Sequence, residues 1–186
     1  MRKKILFLAG MMACCSLAGA QEISKTWVAD KGNGTYQNPV LHADYSDPDV
    51  CAAGDDFYMT ASSFNCIPGI PILHSNDLVN WSLVNYALPI QEPEEFFDKA
   101  QHGKGVWAPA IRFHNGEFYI YWGDPDYGIY MIKTKDPEGK WSKPVLVKAG
   151  KGMIDATPLW DEDGKVYLIH AYAGSRSGVN SILVIC

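Results

Sequence analysis

An excess of positive charge, a cysteine framework and helical periodicity are all missing from this 186-residue chain. Sixteen Lys and Arg stand against twenty-one Asp and Glu, a net charge of −5, and no basic stripe breaks the balance. That excludes the electrostatic footprint by which nucleic-acid binders hold a phosphate backbone. Beyond the first twenty residues only Cys51, Cys66 and Cys186 remain, and no Cys-x-x-Cys pair occurs. An odd count gives no disulfide framework, and the missing pair gives no zinc site. A Cys51–Cys66 disulfide stays open beside the alternative of two buried thiols. The five His show no metal-ligand spacing, and the acids show no EF-hand spacing. Gly103-Lys104-Gly105 lacks the pattern that surrounds a P-loop lysine. Pro and Gly recur too often for a 3.6-residue stripe to last three turns, which argues against a helical fold. What the chain does have is aromatic surface, with 6 Trp, 10 Tyr and 7 Phe. Such flat faces fill a β core or stack on sugars.

The first residues read as an address. Arg2, Lys3 and Lys4 precede an apolar stretch over 5–12 that is too short to span a bilayer. Ala18-Gly19-Ala20 is a small-residue cleavage motif ahead of Gln21. Residues 1–20 therefore read as a secretory signal peptide, and the protein is expected to be exported to the periplasm or the cell exterior. Cys14 follows a small residue, as at a lipoprotein acceptor, so a lipid anchor there stays open, although Met11 stands where Leu is usual. Residues 21–36, with Gly32-Asn33-Gly34, read as a linker.

A repeat runs through the rest. Aromatic, β-prone runs begin after Gly54-Asp55, Asn115-Gly116 and Asp163-Gly164, and each has another short strand ahead of its turn, over 48–52, 109–113 and 157–160. Asn-Gly and Asp-Gly signal hairpins, because both centres of a type I′ turn need positive φ. Tyr58, Tyr119 and Tyr167 are equivalent across these units. Trp81 follows Tyr58 by 23 residues and Trp141 follows Tyr119 by 22, each with a Ser after it. A hairpin, a further strand and a closing strand every ~50 residues is the signature of a propeller blade. The fold class is therefore all-β, with two blades and part of a third over residues 37–186. A third Trp would fall near 189, so the chain is expected to be a piece of a longer protein.

Innermost strands of a propeller converge, so equivalent positions at their starts are places for chemistry. Asp47 lies eleven residues before Tyr58, Ala108 eleven before Tyr119, and Asp155 twelve before Tyr167. Two of three such positions carry Asp, although Asp-Pro also serves simply to start a strand from a turn. Asp44, Asp49, Asp55 and Asp56 are mostly expected to be solvated turn residues. Carboxylates paired across a pocket suit glycoside hydrolysis, in which a base activates water and an acid protonates the leaving oxygen.

The motifs carry a resemblance. His42-Ala43-Asp44-Tyr45-Ser46-Asp47-Pro48-Asp49-Val50 resembles the opening motif of glycoside hydrolase family 43. Gly54-Asp55-Asp56-Phe57-Tyr58, Ser62-Ser63-Phe64, Pro68-Gly69-Ile70-Pro71-Ile72, His74-Ser75-Asn76-Asp77-Leu78, Val106-Trp107-Ala108-Pro109 and Met153-Ile154-Asp155 continue the match. The resemblance implies a five-bladed β-propeller that inverts at the anomeric carbon and removes terminal β-D-xylosyl or α-L-arabinofuranosyl units from plant polysaccharides or oligosaccharides. It implies that Asp47 is the general base and Asp155 the carboxylate that tunes and orients the acid. It also implies that Phe64 and Trp107 wall the pocket for the terminal sugar, with core packing as their alternative. His42, beside the base motif, is a further candidate to line that pocket. No cofactor is required and no metal ligand is assigned; a structural calcium belongs only to the full-length protein. The chain departs from the family in one respect. The family's general acid is a Glu, usually before Gly-Pro, on a later blade, and Glu92, Glu94, Glu95, Glu117, Glu138 and Glu162 all lack that context. The acid is expected beyond Cys186, and the chain alone is expected to be inactive. The loop over 90–104 is an insertion of the kind that often selects substrate. Two other readings remain: a carbohydrate-binding propeller without catalysis, and a kelch-like interaction propeller, whose paired Gly is absent.

Overall fold

Short strands with one buried face build the chain as successive antiparallel sheets. The computed structural model describes residues 26–64, 67–180 and 182–186. Residues 1–20, read from the sequence as a signal peptide with Cys14 among them, and Cys66 lie outside the described residues. In the first sheet β1 (Asp49–Ala53), β2 (Asp56–Thr60), β3 (Gly69–Ser75) and β4 (Ser82–Leu88) pair in chain order. A short helix, α1 (Glu94–Phe97), sits in the connection to the second sheet. There β5 (Trp107–His114), β6 (Glu117–Asp124), β7 (Gly128–Thr134) and β8 (Val145–Ala149) repeat the order. The third sheet holds β9 (Met153–Trp160), β10 (Val166–Tyr172) and β11 (Leu183–Ile185), with α2 (Gly174–Ser177) between the last two strands. Two four-stranded blades and three strands of another agree with the repeat read from the sequence.

Period-two burial holds the blades together. Phe118, Ile120 and Trp122 alternate along β6 and are buried. They join Ile70, Ile72, Leu88, Ile111, Tyr130 and Ile132 in one core between the first two blades. Each large apolar side chain so buried contributes about 1.5–3 kcal/mol. A smaller cluster of Ile129, Met153 and Ala156, with Tyr121, Leu168 and Tyr172 against it, joins the second blade to the third. Trp81 and Trp141 also play matching parts. Their indole N–H groups donate to the Leu78 and Pro137 carbonyls at 3.0 and 3.1 Å, each closing its own turn.

Of the three predicted hairpin turns, only Asn115-Gly116 has positive φ at both centres, 49° and 78°. The Asp163-Gly164 turn uses a longer loop, in which Gly164 N–H bonds to the Asp161 carbonyl at 3.1 Å and only Gly164 is left-handed. The segment read as a linker also differs from expectation over its described part. Asp30 and Tyr36 form a β-bridge, and the Gln37 N–H bonds to the Ala29 carbonyl at 3.0 Å. Asn80 Nδ2 then donates to Asp30 Oδ2 at 3.0 Å and ties the segment to the first blade. Cys51 is a free thiol, pushed up to about 12 by burial and, secondarily, by the Asp49 charge.

One feature of the register recurs in every blade. Ser62 N–H bonds to the Ser46 carbonyl, and Asp49 pairs with Thr60, so Asp47 and Pro48 face Ala61 alone. Trp107 pairs with Gly123 and Ala110 with Tyr121, so Ala108 and Pro109 face Trp122 alone. Ile154 pairs with Ala171 and Thr157 with Ile169, so Asp155 and Ala156 face His170 alone. Each is a bulge, two residues against one, at the start of an innermost strand. The first residue of each is left-handed, with φ of 50° at Asp47, 37° at Ala108 and 55° at Asp155. The equivalence argued from spacing is thus an equivalence of backbone. Proline suits the second position, since the extra residue has no ladder bond to give.

Candidate active site

The bulges turn their first side chain out of the ladder, and in two blades that side chain is a carboxylate. Asp47 is held from one side. Ser62 Oγ donates to Asp47 Oδ2 at 2.7 Å, and Ser46 Oγ reaches the same oxygen at 3.1 Å. Ser62 Oγ in turn accepts the Ala108 N–H at 2.8 Å. The residue in the acid-free bulge of the second blade thus serves the acid of the first. Asp47 Oδ1 has no hydrogen-bond partner among the described residues and is free to face solvent. A carboxylate anchored by one oxygen with the other open is arranged to take a proton from water.

Asp155 lies in the matching bulge of the third blade. Desolvation raises its pKa above the ordinary aspartate value, and the Asp47 charge raises it further. The two carboxylates therefore lie within electrostatic reach of each other, as a pair with divided roles requires.

The two aromatic candidates come together. Phe64 meets Trp107 edge-to-face, with ring centroids 5.9 Å apart. The Arg176 guanidinium, from α2 of the third blade, sits 5.8 Å from the centroid of the Trp107 ring. Arg176 Nε also pairs with Asp126 Oδ1 at 3.3 Å, and Lys104 Nζ approaches Asp126 Oδ2 at 3.6 Å. Beneath them Asp124 is fully buried. Burial pushes its carboxyl up to about 6, against the N–H groups of Asp126 and Tyr127 and the Gln91 amide, which favour the charged form. The 90–104 loop is pinned by Phe96 and Phe97 on Tyr127, with centroids at 5.6 and 6.5 Å. It borders an open cleft of about 190 Å³ lined by Phe64, Gln91, Phe97, Gln101 and Lys104.

The blades are tied to one another just below this level. Asp49 Oδ2 accepts the Ile111 N–H at 2.7 Å and also binds Arg112 Nη1. Asp49 is thus half-buried at a blade junction rather than a solvated turn residue, because the bulge at Asp47–Pro48 turns its side chain toward β5. His42 is the remaining candidate. It packs edge-on against Trp27 at 5.5 Å and lines a separate cavity with Tyr45, Leu73 and Trp81. Asp47, Asp155, Phe64 and Trp107 are not in that lining. Ser62, Asp49, Asp126 and Arg176 are the participants that sequence reasoning missed. Among the described residues no group of three His, Cys, Asp or Glu side chains is placed to hold a metal ion.

Successive antiparallel blades, two of them with an Asp at a matching bulge, define the fold as a β-propeller. The chain belongs to glycosyl hydrolases family 43, whose model matches residues 36–185. It is 37% identical over 161 residues to a putative beta-xylosidase of Xylanibacter ruminicola, covering 87% of this chain and 29% of that protein. It is 37% identical over 139 residues to the non-reducing end alpha-L-arabinofuranosidase BoGH43B of Bacteroides ovatus, covering 73% of this chain and 26% of that one. Among solved structures, the GH43 BlXynB protein from Bacillus licheniformis superposes with a TM-score of 0.63 at 31% identity, over 80% of this chain and 32% of that chain. The chain thus spans less than a third of the length of these relatives.

Proposed function

We propose that the protein is an inverting exo-glycosidase acting on terminal β-D-xylosyl or α-L-arabinofuranosyl units of plant polysaccharides or oligosaccharides. The observation that carries this reading is the carboxylate pair at equivalent bulges, Asp47 anchored by Ser62 and Asp155 tuned by desolvation and by Asp47. The names of the relatives support the two sugar classes, and the leader-like residues 1–20 fit export to where such polymers are met. Asp47 acts as general base. It takes a proton from water as the water oxygen bonds to the anomeric carbon. A glutamic acid, which we place outside the described residues, protonates the glycosidic oxygen as the old C–O bond breaks. The products are the free sugar with inverted configuration and the free alcohol, and both carboxyls reset by proton exchange with solvent. Asp155 adds negative charge beside that acid and keeps it protonated at working pH. Phe64 and Trp107 form the flat wall on which the sugar ring packs. Glu117 is engaged elsewhere, with Lys133 Nζ and Tyr119 Oη each at 3.0 Å, and is not the acid.

The test uses the full-length gene product on aryl β-D-xyloside and aryl α-L-arabinofuranoside, with the product anomer read by proton NMR. Asp47→Asn is expected to lower kcat by about 10²–10⁴. Undiminished release of sugar from that variant removes Asp47 from the role. Binding of glycan without hydrolysis by the unaltered protein moves the reading to a carbohydrate-binding propeller.

A further inference from the structure

We propose that Ser62 is the positioning residue of the base, a hydroxyl that locks the Asp47 carboxylate with one oxygen committed and the other open to water. The inference rests on the reading of Asp47 as the general base. A serine hydroxyl has a single proton and is ordinarily free to rotate. Here the Ala108 N–H donates into Ser62 Oγ at 2.8 Å, so the hydroxyl proton must point elsewhere. The acceptor it meets is Asp47 Oδ2 at 2.7 Å, within the range of a charge-assisted bond. With Ser46 Oγ on the same oxygen at 3.1 Å, Oδ2 is committed twice. Rotation of the carboxylate would break both bonds, so Oδ1 is the oxygen left for the proton of an attacking water.

The repeat itself does not require this hydroxyl. Ala61, Trp122 and His170 stand opposite the three bulges, and the residues after them are Ser62, Gly123 and Ala171. Each of these three positions closes the register beside a bulge, yet one alone carries a hydroxyl. At Gly123 there is no space for one. A Cβ there would lie 2.5 Å from the Met153 carbonyl oxygen and 2.9 Å from Ile154 Cα. The first blade instead stands far enough from the second for a serine to fit between them. That serine spans from the backbone of an acid-free bulge to the side chain of an acid-bearing one. Ala108 belongs to the second blade, so the position of Asp47 is referred to that blade, where Trp107 also stands.

The experiment compares Ser62→Ala, Ser62→Thr and Asp47→Asn in the full-length gene product, with kinetics on both aryl glycosides and thermal melting of each variant. Misplacing a reacting group by about 1 Å costs up to roughly 10²-fold in rate. Ser62→Ala is expected to lower kcat about 10- to 100-fold while KM and melting temperature stay near those of the unaltered protein. Ser62→Thr, which keeps the hydroxyl, is expected to restore most of kcat. Ser62→Ala added to Asp47→Asn is expected to cost little more than Asp47→Asn alone, because the two act as a unit. A crystal structure of Ser62→Ala supplies a readout independent of turnover, and the Asp47 carboxylate is expected there in a second orientation. The proposal is overturned if Ser62→Ala keeps kcat, or if Asp47 keeps its orientation in that crystal. An active Asp47→Asn overturns the reading of the base first, and this inference with it. An inactive Asp47→Asn beside a fully active Ser62→Ala overturns this inference alone.

Discussion

Replacing Asp124 by Asn is expected to stabilise the protein at pH 8 and to leave it nearly unchanged at pH 4. The side chain is fully buried at the end of β6, and burial pushes its carboxyl up from the ordinary value of 3.8 to about 6. The folded chain therefore holds a proton that the unfolded chain has released between those two values. Stability falls as pH rises through this window, and the whole cost is present above about pH 6. Two units at 1.36 kcal/mol each give about 3 kcal/mol as an upper figure. Asparagine removes the charge but keeps an oxygen for the Asp126 and Tyr127 N–H groups, which donate to Asp124 Oδ1 at 2.9 and 3.3 Å. Gln91, now 3.3 Å away through its amide nitrogen, must turn its amide over to face the new Nδ2. Allowing about 1 kcal/mol for the weaker neutral bonds leaves a gain of about 1–2 kcal/mol, or roughly 2–8 °C in Tm for a domain of this size. Melting both proteins at pH 4, 6 and 8 and taking the difference cancels every other titrating group. A difference that does not grow with pH refutes the reasoning, and so does an Asn variant less stable at pH 8.

Three further outcomes follow from the same packing. Gly123→Ala forces a methyl to 2.5 Å from the Met153 carbonyl, so it is expected to cost about 1–3 kcal/mol and to spread β6 from β9; an unchanged Tm counts against so close an approach. Asp49→Ala strips the Ile111 N–H and Arg112 of their partner at the junction of the first two blades. About 1–2 kcal/mol is expected in urea denaturation, less than for a fully buried pair because the groups are a third exposed, and a loss under about 0.5 kcal/mol denies the clamp. Ile120→Ala empties the centre of the larger core and is expected to cost about 2–5 kcal/mol, with the midpoint in denaturant as the check.

The features that show in the sequence are those that repeat. Tyr58, Tyr119 and Tyr167 mark the second strand of each blade, and counting back from them reaches Asp47, Ala108 and Asp155, whose backbones share one left-handed conformation. Phe64 and Trp107 sit in separate sequence motifs, and the structure brings their rings edge to face, 5.9 Å apart. What stayed hidden depends on pairs distant in the chain. Ser62 meets an N–H 46 residues away, and nothing in Ser62-Ser63 distinguishes the serine that bonds to Asp47 from its neighbour, whose Oγ accepts the Ile70 N–H at 3.1 Å. Arg176 belongs to a polar stretch that reads as a loop, until its guanidinium is seen over Trp107. Asp30 and Asn80 lie 50 residues apart, so a segment with two glycines reads as a tether although it is bonded to a blade.

Strain at a functional residue is commonly taken as a mark of function. The bulges argue otherwise for this fold. Asp47 and Asp155 are left-handed, which costs a non-glycine residue roughly 1–2 kcal/mol. Ala108 shares that conformation at φ 37° and has no ionisable group at all. The strain therefore belongs to the blade, which needs two residues against one to start its innermost strand, and it would be present with any side chain there. Chemistry enters through the choice of residue at a position the repeat has already turned outward. An Asp placed there inherits its direction, and its neighbours then divide the roles. In the first blade a serine anchored on Ala108 fixes the carboxylate. In the third, desolvation and the charge of the first shift its titration. The bulge between them has no acid, and its blade contributes the Ala108 N–H to Ser62 and the Trp107 indole beside Phe64. A site that needs unlike groups in register is thus built from units alike in backbone, and the differences are confined to single side chains at matching positions.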